Sequence, residues 1–278
     1  MSAARPDPPT VTVVVLVHGR RRYFRAAREA IRSVLARTSF DVVAVVGPGG
    51  GRLWLRSRRL RVIRQRDGVA RGRAGAFLLK FRALATALRE TRSSHVMVLD
   101  ADAVVARRLT EADVVEALGD RPLGMVEQAR ILGGEMDRDR LRAFAYDTML
   151  PFFGAVPAGL QPSDLTYFNS GVVLAERETL FELTVWALER IEGEARPHEV
   201  GEHMVGDQDY FQYWVNVMHP GTCRALPWSW NHCEHWDEGF PRAQAKILHF
   251  SNFCHGPRSR TIRRMRAARR EGVRGVSS

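Results

Sequence analysis

The sequence predicts an α/β fold wound as a sheet with helices on both faces. Two apolar runs, VTVVVLV at 11–17 and DVVAVV at 41–46, flank a stretch with helical periodicity, and a third run, VMVLDADAVV at 96–105, follows a second helical stretch. Continuous β-branched runs belong to strands covered on both faces, as in parallel α/β sheets.

Each element has its own signal. Behind the first strand, Phe24, Ala27, Ile31, Val34 and Leu35 recur at helical spacing, and the second strand stops at GPGG, which neither helix nor strand continues through. A short third strand spans Leu60 to Ile63, then comes the Arg/Gly loop RDGVARGRAG. Phe77, Phe81, Leu84 and Leu88 mark the helix that feeds the third apolar run. Four strands and two helices make a doubly wound half over 11–105, of the kind that binds nucleotides. Residues 106–257 form a second, looser half of mixed elements: a strand in YFNSGVVLA at 167–175, helices near 178–191 and 207–218, and a strand in KILHF at 246–250. Residues 1–10 are expected to be disordered, and no internal repeat occurs.

Composition narrows the function classes. A chain of 278 residues, 45% hydrophobic, suits one large domain. No signal-type stretch opens it and the run at 11–17 is too short to span a bilayer, so a cytoplasmic protein is expected. Three scattered cysteines without a CxxC pair argue against a disulfide framework. The formal charge is +11, but residues 258–278 hold eight arginines against one glutamate, leaving the body mildly basic. That tail reads as a separate polycationic element, disordered or helical, drawing in an acidic acceptor or touching a membrane surface peripherally. It lacks the aromatics of RNA modules, so no stable nucleic-acid partner is expected.

The chemistry starts at Asp100 and Asp102, separated by the small Ala101. In an extended chain such residues share a face. At a strand's C-terminal end they reach the cleft where ligands of open sheets collect, and two carboxylates there clamp a divalent metal. The plainer account is a pair of solvated turn formers. Three further landmarks follow in order: YFNSGVVL at 167–174, GDQDYFQYWV at 206–215 and ILHFSNFCHGP at 247–257.

With these four landmarks the chain resembles the metal-dependent glycosyltransferases of the GT-A fold, in particular the glycogenin and bacterial lipooligosaccharide galactosyltransferase group, over roughly residues 10 to 257. The resemblance implies a GT-A-type doubly wound mixed sheet, a nucleotide-sugar-binding half at 11–105 and an acceptor half at 106–257. It implies a nucleoside diphosphate sugar as donor, a uridine one favoured, and transfer with retention. Asp100 would hold the ribose and a divalent metal, Asp102 the metal, and His249 the third ligand position. Two carboxylates and an imidazole favour manganese over magnesium, which accepts nitrogen less readily. His249 also reads as a core histidine. Asn169 and Ser170 would approach sugar and acceptor, although Asn-Ser-Gly also reads as a strand bend. Gln208, between Asp207 and Asp209, would lie near the anomeric carbon; an amide is a poor nucleophile, which argues for front-face attack. Asp207 also suits a helix N-cap, since Tyr210, Phe211, Trp214 and Val217 follow as an apolar stripe. Asp209 would be the base if transfer inverts. Lys80 would contact the donor, and Val17, His18 and Gly19 would receive uracil and ribose.

The chain departs from the family's late HxxGxxK motif, where it has Asn252 and His255. His255, or Arg258 or Arg260 beyond it, would then meet the diphosphate. Trp228, Trp230 and Asn231 are of the types that line sugar sites, and are candidates for the acceptor or for the core. Natural-product, peptide and glycan acceptors all fit. Three other readings compete. A zinc site of Cys223, His232, Cys233 and His235 has poor spacing for a tetrahedral cage. A sugar-phosphate nucleotidyltransferase would need an N-terminal GxGxRxxP loop, and VHGRRRYF is not one. A non-enzymatic polyanion or nucleic-acid binder would act through the arginine tail alone.

Overall fold

The structure, a computed structural model, describes residues 8–49, 53–65, 72–128, 137–194, 199–200, 203–233, 239–251 and 258–274. Strand β1 (Val11–Gly19) leads through α1 (Arg21–Arg37) to β2 (Asp41–Gly49), and β3 (Leu60–Arg64) leads through α2 (Gly72–Glu90) to β4 (His95–Leu99). All four strands run parallel, β1 lying between β2 and β4 and β2 pairing with β3. Successive side chains of β1 point to opposite faces. Val13, Val15 and Val17 therefore join Phe24, Ile31 and Val34 of α1 in one core, while Val14 joins Phe81, Leu84 and Leu88 of α2 in the other. Cover on both faces is what the unbroken apolar run required.

After β4 come β5 (Ala103–Val105), α3 (Glu111–Leu118), β6 (Leu123–Glu127), α4 (Arg138–Phe144), α5 (Leu150–Phe153), β7 (Phe168–Glu176) and α6 (Arg177–Gly193). A short hairpin, β8 (Glu199–Val200) and β9 (His203–Met204), precedes α7 (Asp207–Tyr213), β10 (Cys223–Leu226), β11 (His232–Cys233), β12 (Ile247–His249) and α8 (Arg258–Arg274). Among the described residues the main sheet has the order β3, β2, β1, β4, β7, β6, β10. β7 runs antiparallel to both of its neighbours and makes the sheet mixed. A smaller sheet places β12 between β11 and β5.

The run at 96–105 is thus two strands in two sheets, joined at Asp100, Ala101 and Asp102 by a turn. This corrects the reading of one extended strand with both acids on a shared face. The arginine-rich segment is corrected as well, since α8 is packed on the body and is no separate appendage. Ile262, Met265 and Ala268, one turn apart, are buried with Ala26, Val104 and Leu248. Glu29 of α1, only 1% exposed, accepts hydrogen bonds from Arg266 Nε at 3.1 Å and Arg269 Nε at 3.0 Å. No described helix is long and apolar enough to cross a membrane.

Removing a carboxylate that satisfies several guanidinium groups costs more than its net contribution, because its partners stay behind. Glu29→Ala should therefore lower the unfolding free energy by about 2–3 kcal/mol in urea denaturation, whereas Arg270→Ala on the exposed side of α8 should stay within about 0.5 kcal/mol. Equal, small effects would show that apolar contacts alone hold α8.

Candidate active site

The site lies where β1 and β4 end, on the C-terminal edge of the parallel half, the edge on which open α/β sheets collect ligands. The Asp100 N–H is held by the Gly171 carbonyl at 2.9 Å, and the Ala103 N–H closes the turn on the Asp100 carbonyl at 3.0 Å. β5 then pairs with β12 so that Ala103 faces His249, and the Phe250 N–H binds the Asp102 carbonyl at 3.0 Å. This pairing carries a residue 147 positions away in sequence onto the aspartate turn. His249 Nε2 stands 3.4 Å from Asp102 Oδ1 and 3.9 Å from Asp100 Oδ2. One ligand atom from each of the three residues lies within 4.8 Å of the others, the one such cluster among the described residues.

The ring is admitted by Gly171. A Cβ there would come within 2.2 Å of His249 Cε1 and 2.6 Å of Nδ1, so any other residue at 171 would drive the imidazole away. That glycine belongs to the FNSGV stretch, but its purpose appears only in three dimensions.

Behind the turn, Lys80 of α2 is buried and its ammonium donates to Asp100 Oδ1 at 2.9 Å and the Ser170 carbonyl at 2.8 Å, with Asp207 Oδ2 at 2.8 Å. Asp207 also accepts from the Ser170 hydroxyl at 2.9 Å. Burial opposes charge on Lys80, but the two carboxylates outweigh it and its pKa is raised. Burial likewise pushes Asp100 up, aided by Asp207 and Asp102 and opposed by Lys80 and His249.

A chain of side-chain amides runs beside these charges. Gln208 Oε1 accepts from the Ser170 N–H at 3.3 Å and from Asn169 Nδ2 at 3.2 Å, while Gln208 Nε2 donates to Gln128 Oε1 at 3.3 Å. Asn169 Nδ2 also reaches Gln128 Oε1 at 3.3 Å. Asn169 Oδ1 accepts from the Gly171 N–H at 2.9 Å and from Asn231 Nδ2 at 2.7 Å, and Asn231 Oδ1 meets His249 Nδ1 at 3.0 Å. Cys233 Sγ lies 3.4 Å from the same nitrogen. Gln128, at the end of β6, has no place in the sequence reading of the site, and Cys233 enters that reading only as a zinc candidate. No local signal marks Gln128, which reaches the site through the antiparallel pairing of β6 with β7.

Other sequence candidates are placed differently. Asp209 is buried and its Oδ2 accepts from the Gly206 N–H at 2.7 Å, capping α7. Trp230 is buried in the core under the Lys246 ammonium, 4.5 Å from the ring centroid, and Trp228 stacks on Phe240 with ring centroids 4.8 Å apart. Neither tryptophan joins the polar chain, but Asn231 does. Val17, His18 and Gly19 lie at the end of β1; Val17 is fully buried, and burial lowers the pKa of His18. Cys223 sits on the edge strand β10, while Cys233 lies on β11 against His249. His235, Asn252 and His255 lie outside the described residues, as do the side chains of Arg258 and Arg260.

The mixed seven-stranded sheet with its helices is consistent with a GT-A-type fold, and two solved structures of glycosyltransferases superpose on it. A galactosyltransferase, LgtC, solved in complex with donor and acceptor sugar analogues, superposes with a TM-score of 0.55 at 15% identity, covering 94% of this chain and 95% of that one. The apo structure of a bifunctional glycosyltransferase, WbbM, superposes with a TM-score of 0.54 at 14% identity over 95% of this chain and 53% of that one. This chain therefore spans about half the length of the bifunctional protein. No protein-family model and no curated protein sequence matches the chain.

The donor set fits a divalent cation: two partly exposed carboxylates, Asp100 at 36% and Asp102 at 18%, beside a buried imidazole. Without a cation, the surroundings of the ring favour its charged form. Burial opposes that charge, but Cys233 and Asp102 raise the His249 pKa well above the ordinary value. A histidine whose folded pKa is raised contributes stability below its unfolded pKa of about 6.5, and that contribution is lost as pH rises through the folded value. In chelator, His249→Asn should therefore cost more stability at pH about 6 than at pH about 8.5. Comparison with the variant removes the opposite trend from His18 and His95, whose pKa values burial lowers. Parallel pH profiles for the two proteins would contradict the assignment.

Proposed function

We propose that this chain is a metal-dependent glycosyltransferase that moves a sugar from a nucleoside diphosphate sugar, a uridine one favoured, to an acceptor hydroxyl with retention of anomeric configuration. The observation that carries this is the Asp100, Asp102 and His249 cluster on the open edge of a GT-A-type sheet, with Gln208 fixed beside it. The LgtC structure holds donor and acceptor sugar analogues, and the proposal gives this chain the same two ligand classes.

Asp100, Asp102 and His249 would hold the cation, manganese favoured over magnesium by the imidazole. When bound, the cation neutralises negative charge on the departing diphosphate. Lys80 fixes Asp100 from behind and, with every hydrogen engaged, serves position rather than donor contact. The expectation that it touches the donor is replaced in this mechanism by that supporting role.

Retention is supported by where the acids are. Inversion needs a carboxylate base on the acceptor side, but Asp209 caps its helix and Asp207 is spent on Lys80 and Ser170. Gln208 cannot take a proton, and both lone pairs of its Oε1 are engaged by Ser170 and Asn169. Its Nε2 donates to Gln128 at 3.3 Å, so Gln208 would face a sugar as a fixed amide that helps to orient it and takes no proton. As the bond from the anomeric carbon to the diphosphate breaks, the acceptor oxygen bonds to that carbon from the same face. Its proton passes to the departing phosphate oxygen.

Manganese and uridine diphosphate together should raise the melting temperature beyond the sum of their separate effects. At a hundredfold excess over the dissociation constant the gain is about 2.7 kcal/mol, or about 5–10 °C for a chain of this size. Asp102→Ala should abolish the synergy, and its persistence in that variant would return the aspartates to a structural role.

Gln208→Ala should slow transfer roughly 10- to 100-fold, about 1.4–2.7 kcal/mol of barrier, with donor affinity kept. Proton NMR of fresh product should show the donor's anomeric configuration. The opposite configuration would overturn retention and bring Asp209 back as the base.

A further inference from the structure

We propose that Asn231 is a positioning residue that fixes the tautomer of His249, so that Nε2 and not Nδ1 is the nitrogen offered to a cation. The inference deepens the metal-dependent reading of the site and rests on it for its purpose, though not for its test.

One group in the chain of hydrogen bonds cannot be turned around. The Gly171 backbone N–H can only donate, and it points at the Asn169 side chain at 2.9 Å. The Asn169 atom there must therefore be the oxygen, which leaves its NH₂ for the Gln128 and Gln208 oxygens. The same Asn169 oxygen lies 2.7 Å from Asn231, so Asn231 must present its NH₂ on that side and its oxygen on the other. That oxygen faces His249 Nδ1 at 3.0 Å and can only accept. Nδ1 must therefore carry a proton; a lone pair there would meet another lone pair in a buried site.

In the neutral ring one nitrogen is protonated and the other is free. With the proton on Nδ1, the free lone pair is on Nε2, the atom 3.4 Å from Asp102 and 3.9 Å from Asp100. Cys233 is the competitor, since its thiol, 3.4 Å from Nδ1, would favour the other tautomer if it donated. The shorter contact from an obligate acceptor decides against it, and Cys233 Sγ accepts the second share of the same hydrogen. Asn231 and His249 are 2% and 5% exposed, so water is poorly placed to substitute.

Removing such an orienting partner typically weakens metal binding 10- to 100-fold. The test uses the full-length, metal-free protein with ¹⁵N-labelled histidine, at a pH where His249 has lost its second proton. Long-range nitrogen–proton spectra, assigned with His249→Asn, should show Nδ1–H. Asn231→Leu should shift the ring to Nε2–H or a mixture, and manganese alone, followed by electron paramagnetic resonance, should bind 10- to 100-fold more weakly. Cys233→Ala removes the competing sulfur and leaves Asn231 in place, so it should keep the wild-type tautomer; a shift to Nε2–H in that variant would assign the positioning to Cys233 and overturn the proposal. Nε2–H in the wild type, or an unchanged tautomer in Asn231→Leu, overturns the proposal. If Asn231→Leu fails to fold, the wild-type and Cys233→Ala spectra decide it. Because the tautomer is read without metal, a chain that binds no manganese refutes the proposed function and leaves this result standing.

Discussion

The Lys80 ammonium, buried at the back of the site, spends its three hydrogens on Asp100, Asp207 and the Ser170 carbonyl, and so ties α2, the aspartate turn, β7 and α7 to one point. Burying an ammonium is costly unless its partners are close and complete. Here they are, and the consequence is a fixed Asp100. Asp100, Asp102 and Asp207 against Lys80 leave two negative charges in excess when His249 is neutral. A divalent cation would close that balance, so the raised pKa values of Asp100 and His249 and the proposed metal belong to one electrostatic problem.

The small sheet solves the geometric half of the problem. β5 follows the aspartate turn directly, and pairing it with β12 brings His249 opposite Ala103 without any sequence proximity. Gly171 then leaves room for the ring, and the amide chain from Gln128 to Asn231 holds its far side. Gln208 belongs to the same chain, so the cation cluster and the amide proposed to face the sugar share one rigid support.

Much of this was legible in the sequence where residue type and order carry the chemistry. Apolar runs at 11–17 and 41–46 announced buried strands, and Asp100, Asp102, Gln208 and His249 stood in recognisable settings. What stayed hidden depends on long-range pairing. Gln128 sits at the end of a five-residue strand whose neighbour lies some forty residues on, and no local pattern ties it to Gln208. The turn at Asp100 was concealed because β4 and β5 read as one apolar run although they serve different sheets. In α8 the charge of the arginines masked an apolar stripe of Ile262, Met265 and Ala268 at helical spacing. Trp230 shows the ambiguity of aromatics, whose types suit a sugar site and a core equally until burial is known.

Whether Asp100, Asp102 and His249 hold a cation can be seen by anomalous diffraction at the manganese edge, from crystals grown with manganese and uridine diphosphate. One strong peak is expected, bonded by Asp100, Asp102 and His249 Nε2, with the diphosphate on its open side toward Gln208. A manganese peak elsewhere, or a nucleotide bound away from that cluster, would contradict it.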